Sequence, residues 1–193
     1  MTIRHSSAGV PYWQGADESD ADAPAKPLSL VRAGLLFMAI FAALHTAWTI
    51  CSDTVVERLV IDQATVSVAA VWVRLLTPDI PVVADGTKLS APGGGINVLK
   101  GCEGTEVLFL LAAAFMVAPL TWRRRLGGLA LGAWLVYLMN QVRVVVLFYA
   151  YRYDQPLFGQ LHGTVAPLIM VALTGSFFFW MSRTAHDGTA TIR

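Results

Sequence analysis

At 193 residues the chain has the length of one domain, yet 55% of it is hydrophobic and only 14% charged, against about 25% charged in an ordinary soluble domain. With a mean hydropathy of +0.57, this composition excludes a water-soluble globule and names the lipid bilayer as a partner. The net charge of +1 gives no field that would draw nucleic acid.

Residues 1–27 mix Ser, Ala, Gly and Pro with Asp17, Glu18, Asp20 and Asp22 and read as a disordered cytoplasmic tail. This segment lacks the apolar core of a cleavable signal peptide, so the first span reads as a retained signal-anchor. Residues 28–182 form the membrane domain. Four stretches within it suit a bilayer crossing, which takes about 20 helical residues: 33–51, 107–122, 126–151 and 164–182. Each is expected to be helical, because hydrocarbon satisfies no unpaired backbone amide.

The stretch Val55–Leu76 carries Glu57, Arg58, Asp62 and Arg74. Arg58, Asp62 and Thr65 recur at helical spacing, which suggests an amphipathic helix on the outer surface; a fifth crossing is the alternative. Residues 52–104 thus form an outer cap. Within it, 82–84, Asp85-Gly86 and 87–89 read as a β-hairpin, and Ile96 to Leu99 as a possible further strand. The fold class is an all-α polytopic bundle of four, or five, transmembrane helices with a small extracytoplasmic β-hairpin cap. Arg123, Arg124 and Arg125 occupy the connection between spans two and three, a strong cytoplasmic marker. Arg4, Lys26, Arg32 and Arg183, with the tail 183–193, fall on the same side. This arrangement predicts a multi-pass protein of the cell inner membrane.

Cys102 lies in Gly101-Cys102-Glu103-Gly104, where the cap meets span two. The thiolate is the nucleophile, and a helix N-terminus favours it; a small buried hydrophobe is the bland alternative. Arg143 sits inside span three. A central arginine costs about 2.5–3.5 kcal/mol on insertion scales and marks function by default, although snorkelling or pairing with Glu106 are structural alternatives. Asn140, at i−3 from Arg143, can orient the guanidinium. His162, just before span four, suits proton transfer near neutral pH; alone it is a weak signal. His45, inside span one, reads as a satisfied core histidine. Topology brings Cys102, Arg143 and His162 to one depth on one side, a pattern suited to covalent acyl transfer. Glu106, at i+4 from Cys102, is expected to pair with Arg143 in the resting enzyme.

The Cys-x-Gly of Cys102 to Gly104, the Asn-x-x-Arg of Asn140 to Arg143 and the lone His162 resemble the exosortase/archaeosortase family of membrane-embedded sorting enzymes. The resemblance covers roughly 31–181 and suggests a compact member. It implies Cys102 as nucleophile, Arg143 as charge stabiliser and His162 as proton-transfer residue. It also implies membrane-anchored protein substrates whose C-terminal sorting signal joins a short motif, a transmembrane helix and a basic cluster. Many members carry Ser or Ala where this chain has Glu103, an anion that would raise a neighbouring thiol pKa.

Two competing readings differ in class. A non-catalytic assembly factor for exopolysaccharide or surface-protein export would tolerate loss of the thiol. A thiol oxidoreductase would use Cys51 and Cys102, yet Cys-x-x-Cys is absent. No phosphate loop, zinc motif or dinucleotide fingerprint is present, so no cofactor is expected.

Overall fold

The computed structural model describes residues 28–99 and 101–190, with side chains through residue 183. The expected disordered tail 1–27 lies outside the described residues. Helix α1, Leu30–Ile50, ends in a tight turn in which Asp53 takes a positive φ. The turn is held because Glu57 accepts from the Asp53 amide, and Thr54 stands at the N-cap of the next helix. That helix, α2, runs unbroken over Val55–Leu76, with a π-helical middle at Leu59–Ser67.

The buried residues of α2 are Ile61, Thr65, Val66, Ala69, Ala70 and Val73, one stripe at helical spacing. Thr65 therefore belongs to the packed face and not, as the sequence suggested, to a polar one; its hydroxyl donates back to the Val60 carbonyl at 2.8 Å. The opposite side exposes Val71 and Leu75. In length and composition α2 qualifies as a membrane span alongside Leu30–Ile50, Trp122–Tyr153 and Gln155–Arg183.

Strands β1 (Val83–Asp85), β2 (Lys88–Ala91) and β3 (Gly94–Asn97) follow, antiparallel in the order β1-β2-β3. The hairpin anticipated in the sequence is present, but Asp85 pairs with Lys88, so the turn is Gly86-Thr87 rather than Asp85-Gly86. A second two-residue turn, Pro92-Gly93, joins β2 to β3, since Ala91 pairs with Gly94. Arg152 donates to the Pro92 carbonyl at 2.6 Å and clamps this turn to the bundle.

Helix α3, Thr105–Val117, has only 13 residues, about 20 Å of helix. The span expected over 107–122 is thus shorter than the sequence pattern. Pro119 biases Ala118 to an extended backbone (ψ 141°) and ends the helix, while Arg125 covers the freed Ala118 carbonyl at 3.0 Å. Helix α4, Trp122–Tyr153, is the longest element, with 32 residues and a length of about 48 Å. Arg123 to Arg125 form its first turn instead of a loop. Cations at a helix N-terminus oppose the helix dipole, so the local helix gives no reason for this cluster. Helix α5 covers residues 155–190, with a π-helical turn at Leu161–Val165. The expected tail at 183–193 therefore begins inside a helix that continues through Ala190.

Two cores form. At the cap end, α2, the sheet and α4 enclose Val66, Val73, Leu89, Ile96, Val144 and Phe148. At the arginine end, α3, α4 and α5 meet around Leu111, Phe115, Val136 and Met170. Here Gly128 and Gly132 let helices close in: a β-carbon on Gly128 would come within 2.5 Å of the Phe115 ring, and one on Gly132 within 2.4 Å of Leu111. This is the small-x-x-x-small contact by which membrane helices approach. Polar groups tie α2 to α4, where Gln141 and Tyr137 both donate to the Ala64 carbonyl, at 2.9 and 3.0 Å.

Candidate active site

Cys102 stands in the turn between β3 and α3, and its amide donates to the Leu99 carbonyl at 2.9 Å. It precedes the first helical residue, Thr105, by three positions, at the meeting of cap and helix where the sequence placed it. Gly101 and Gly104 have φ of 89° and 80°, a left-handed conformation that glycine alone adopts freely. A β-carbon on Gly104 would also sit 3.3 Å from Asn140. The two glycines fold the chain so that the sulfur faces α4 and α5.

Two elements, α4 and α5, converge on that sulfur. Arg143 Nη2 donates to Cys102 Sγ at 3.9 Å, and His162 Nδ1 lies at 3.9 Å from the same atom. Arg143 Nη1 is directed to the Gly101 carbonyl at 3.5 Å and to Met170 Sδ at 4.0 Å. Arg143 lies ten residues before the end of α4, about 15 Å, and is turned into the protein. His162 sits in the π-helical turn of α5, a distortion frequent at functional sites. Phe158, one turn earlier, stacks on its ring at 5.5 Å and 7° and so fixes the imidazole plane. The sequence held a cue for Phe158, its i−4 spacing from His162, but not for the stacking.

The supporting residues differ from expectation. Arg143 makes its contacts with Gly101, Cys102 and Met170, and the pair with Glu106 is not formed. Glu106 is exposed in the first turn of α3. Among the described residues no carboxylate pairs with Arg143, and its Nε is buried without a hydrogen bond. Asn140, 1% exposed, packs against Gly104 and leaves its Oδ1 without a partner; its contribution is shape. His45 is exposed on α1 and stacks on Phe41, so it is not a core histidine. Cys51 and Cys102 are both free thiols.

Glu103 is buried beside Cys102. Its Oε1 accepts from Trp48 at 3.1 Å and from Thr105 at 2.8 Å, while Oε2 has no partner. The Cys102 thiol is pushed above its ordinary value, first by burial; Arg143 pulls it down, and Glu103 pushes it up. Glu103→Gln keeps the oxygen that Trp48 and Thr105 reach and removes the charge. Alkylation of Cys102 by chloroacetamide is expected to reach its half-maximal rate at lower pH in this variant. A profile that stays in place, or moves to higher pH, contradicts the assignment.

A cavity of about 310 Å³ has Cys102 in its wall, with His162, Tyr151, Phe158 and residues 95–99. On the membrane side, an apolar groove of about 340 Å³ between α4 and α5 has Arg143 in its wall. Cys102 thus borders a cavity on one flank and has an apolar groove, walled by Arg143, near the other.

Compared with known proteins, the chain matches the family model described as "Transmembrane exosortase (Exosortase_EpsH)" over residues 24–182. No curated protein and no solved structure matches it. The matched span takes in the apolar helices, the cap and the Cys102 cluster, and the chain belongs to the transmembrane exosortase family, as a multi-pass membrane protein.

Proposed function

We propose that this protein is a membrane cysteine peptidase or transpeptidase that cuts proteins carrying a C-terminal transmembrane sorting tail. The observation that carries the reading is the approach of Arg143 and His162 to one sulfur, each at 3.9 Å. His162 takes the thiol proton as Cys102 Sγ attacks the scissile carbonyl carbon. Negative charge moves to the carbonyl oxygen, where the under-occupied guanidinium of Arg143 stabilises it. Collapse of the tetrahedral adduct breaks the C–N bond, and the imidazolium returns its proton to the leaving amine. The tail departs and an acyl thioester remains on Cys102. An acceptor amine or water then attacks that thioester, and the thiol is regenerated.

The cap end, with the site, is assigned to the extracytoplasmic face of the inner membrane. The support is Arg123 to Arg125, clustered at the opposite end of α4 against the preference of the helix dipole, as the positive-inside rule requires. The test is co-expression with tail-bearing membrane proteins from the same genome. A fragment lacking the tail is expected only in cells that make this chain. Tails that remain intact, or that are removed equally in its absence, overturn the reading.

A further inference from the structure

Strand β3 pairs with β2 on one side only. The ladder register, closed by Ala91 with Gly94 and extended by the Val98 amide on the Thr87 carbonyl at 2.8 Å, turns the main-chain groups of Gly94, Ile96 and Val98 toward β2. The alternation of an antiparallel ladder then directs the N–H and C=O of Gly95 and Asn97 to the opposite edge. Among the described residues no backbone hydrogen bond outside the sheet engages either residue. Gly95 and Asn97 are also among the residues that line the cavity over Cys102 and His162.

The two edges of the sheet are treated differently. At β1, Asp85 and the preceding Pro81 carry the charge and proline that discourage pairing. At β3 the sequence Gly94-Gly95-Ile96-Asn97 has neither. Gly95 must also stay small, because a β-carbon there would fall 2.4 Å from the Leu89 carbonyl. An unprotected edge beside a nucleophile is a template for an extended chain.

We infer that the substrate segment flanking the scissile bond binds as a fourth strand on the free edge of β3, hydrogen-bonded to Gly95 and Asn97. This rests on the peptidase reading and adds how the peptide is recognised: main-chain pairing supplies affinity, and side chains at alternate positions enter the cavity. Contacts of this kind have a period of two along the substrate.

The probe is an acetylated tetra-alanine chloromethyl ketone, whose chloride is displaced by the Cys102 sulfur. It is applied to the full chain in membranes, with the labelled cysteine mapped by mass spectrometry. Chloroacetamide, which has no peptide to dock, reports the reactivity of the thiol alone. In one isomer of the probe, backbone N-methyl groups occupy residues one and three; in the other, residues two and four. One isomer is expected to lose about ten-fold in rate, the worth of one or two net hydrogen bonds, and the other to label much as the parent does.

Asn97→Pro removes the outward N–H and keeps the backbone ladder to β2, at a position where an edge strand accepts proline; it also gives up the hydrogen bond that Thr87 Oγ1 donates to Asn97 Oδ1 at 2.7 Å. It is expected to lower the ratio of peptide to chloroacetamide labelling about ten-fold. Equal rates for the two isomers overturn the proposal, and their comparison on the unmodified chain does not depend on how the variant folds. Peptide labelling that loses its alternation while chloroacetamide still reacts at Cys102 sinks the fourth strand and leaves the peptidase reading standing.

Discussion

Cys102→Ser is expected to cut substrate processing by about 10⁴-fold or more while the protein accumulates and inserts as the unmodified chain does. Serine differs by one atom, is smaller and sits in the same turn, so the glycine-rated geometry of Gly101 and Gly104 is kept. What changes is acidity. An alcohol is a far weaker acid than a thiol, and an imidazole that deprotonates sulfur on substrate binding has little effect on it. Members of a catalytic cluster act as a unit, so losing the nucleophile removes nearly the whole enhancement. The measurement is the fraction of tail-bearing substrate converted, normalised to the amount of enzyme in the membrane. More than about a tenth of normal turnover in this variant removes Cys102 from the mechanism and favours a non-catalytic assembly role.

Arg143→Met carries the second large effect, with stability and activity expected to move apart. A guanidinium aimed at developing oxyanion charge is worth about 10²–10³ in turnover, felt in kcat more than in KM. Arg143 also pulls the Cys102 thiol down, so its loss shifts alkylation of Cys102 to higher pH. Methionine fills similar space, and replacing a half-buried cation that pairs with no carboxylate among the described residues relieves desolvation, which costs about 2.5–3.5 kcal/mol at a helix centre. The variant is therefore expected to melt no earlier than the parent in detergent. Arg143→Lys keeps the charge but loses the planar fork and recovers only part of the rate. A variant that loses folded protein and activity in parallel, with unchanged specific activity, identifies Arg143 as structural.

Much of this site was legible in the chain because each signal was chemical and local. A charged residue inside an apolar helix, a cysteine between glycines and a histidine at a helix entry each stand out from hydrocarbon. Topology alone brought Cys102, Arg143 and His162 to one end, and their side chains meet there. The same reading failed where an outcome depended on partners. Thr65 matched a polar face by spacing with Arg58 and Asp62, yet it is buried on the packed face of α2 beside Ile61, Val66 and Ala69. Glu106 had the right spacing for Arg143, but the guanidinium turned to the Gly101 carbonyl and two sulfurs. Hydropathy ran on through 118–122 although Pro119 ends α3 at Val117. The π-helical turns at Leu59–Ser67 and Leu161–Val165 had no signature at all, since they arise from packing rather than propensity. The free edge of β3 was equally hidden, because which strand lies outermost is a property of the assembled sheet.

The most direct measurement is the mass of Cys102 during turnover. Enzyme mixed with excess tail-bearing substrate is quenched in acid within the first turnovers, digested and mapped. An acyl group is expected on the Cys102 sulfur, with its carboxyl end at the cut site and released by neutral hydroxylamine. Substrate cleaved with Cys102 unmodified throughout, or with the acyl group on any other side chain, would contradict the mechanism.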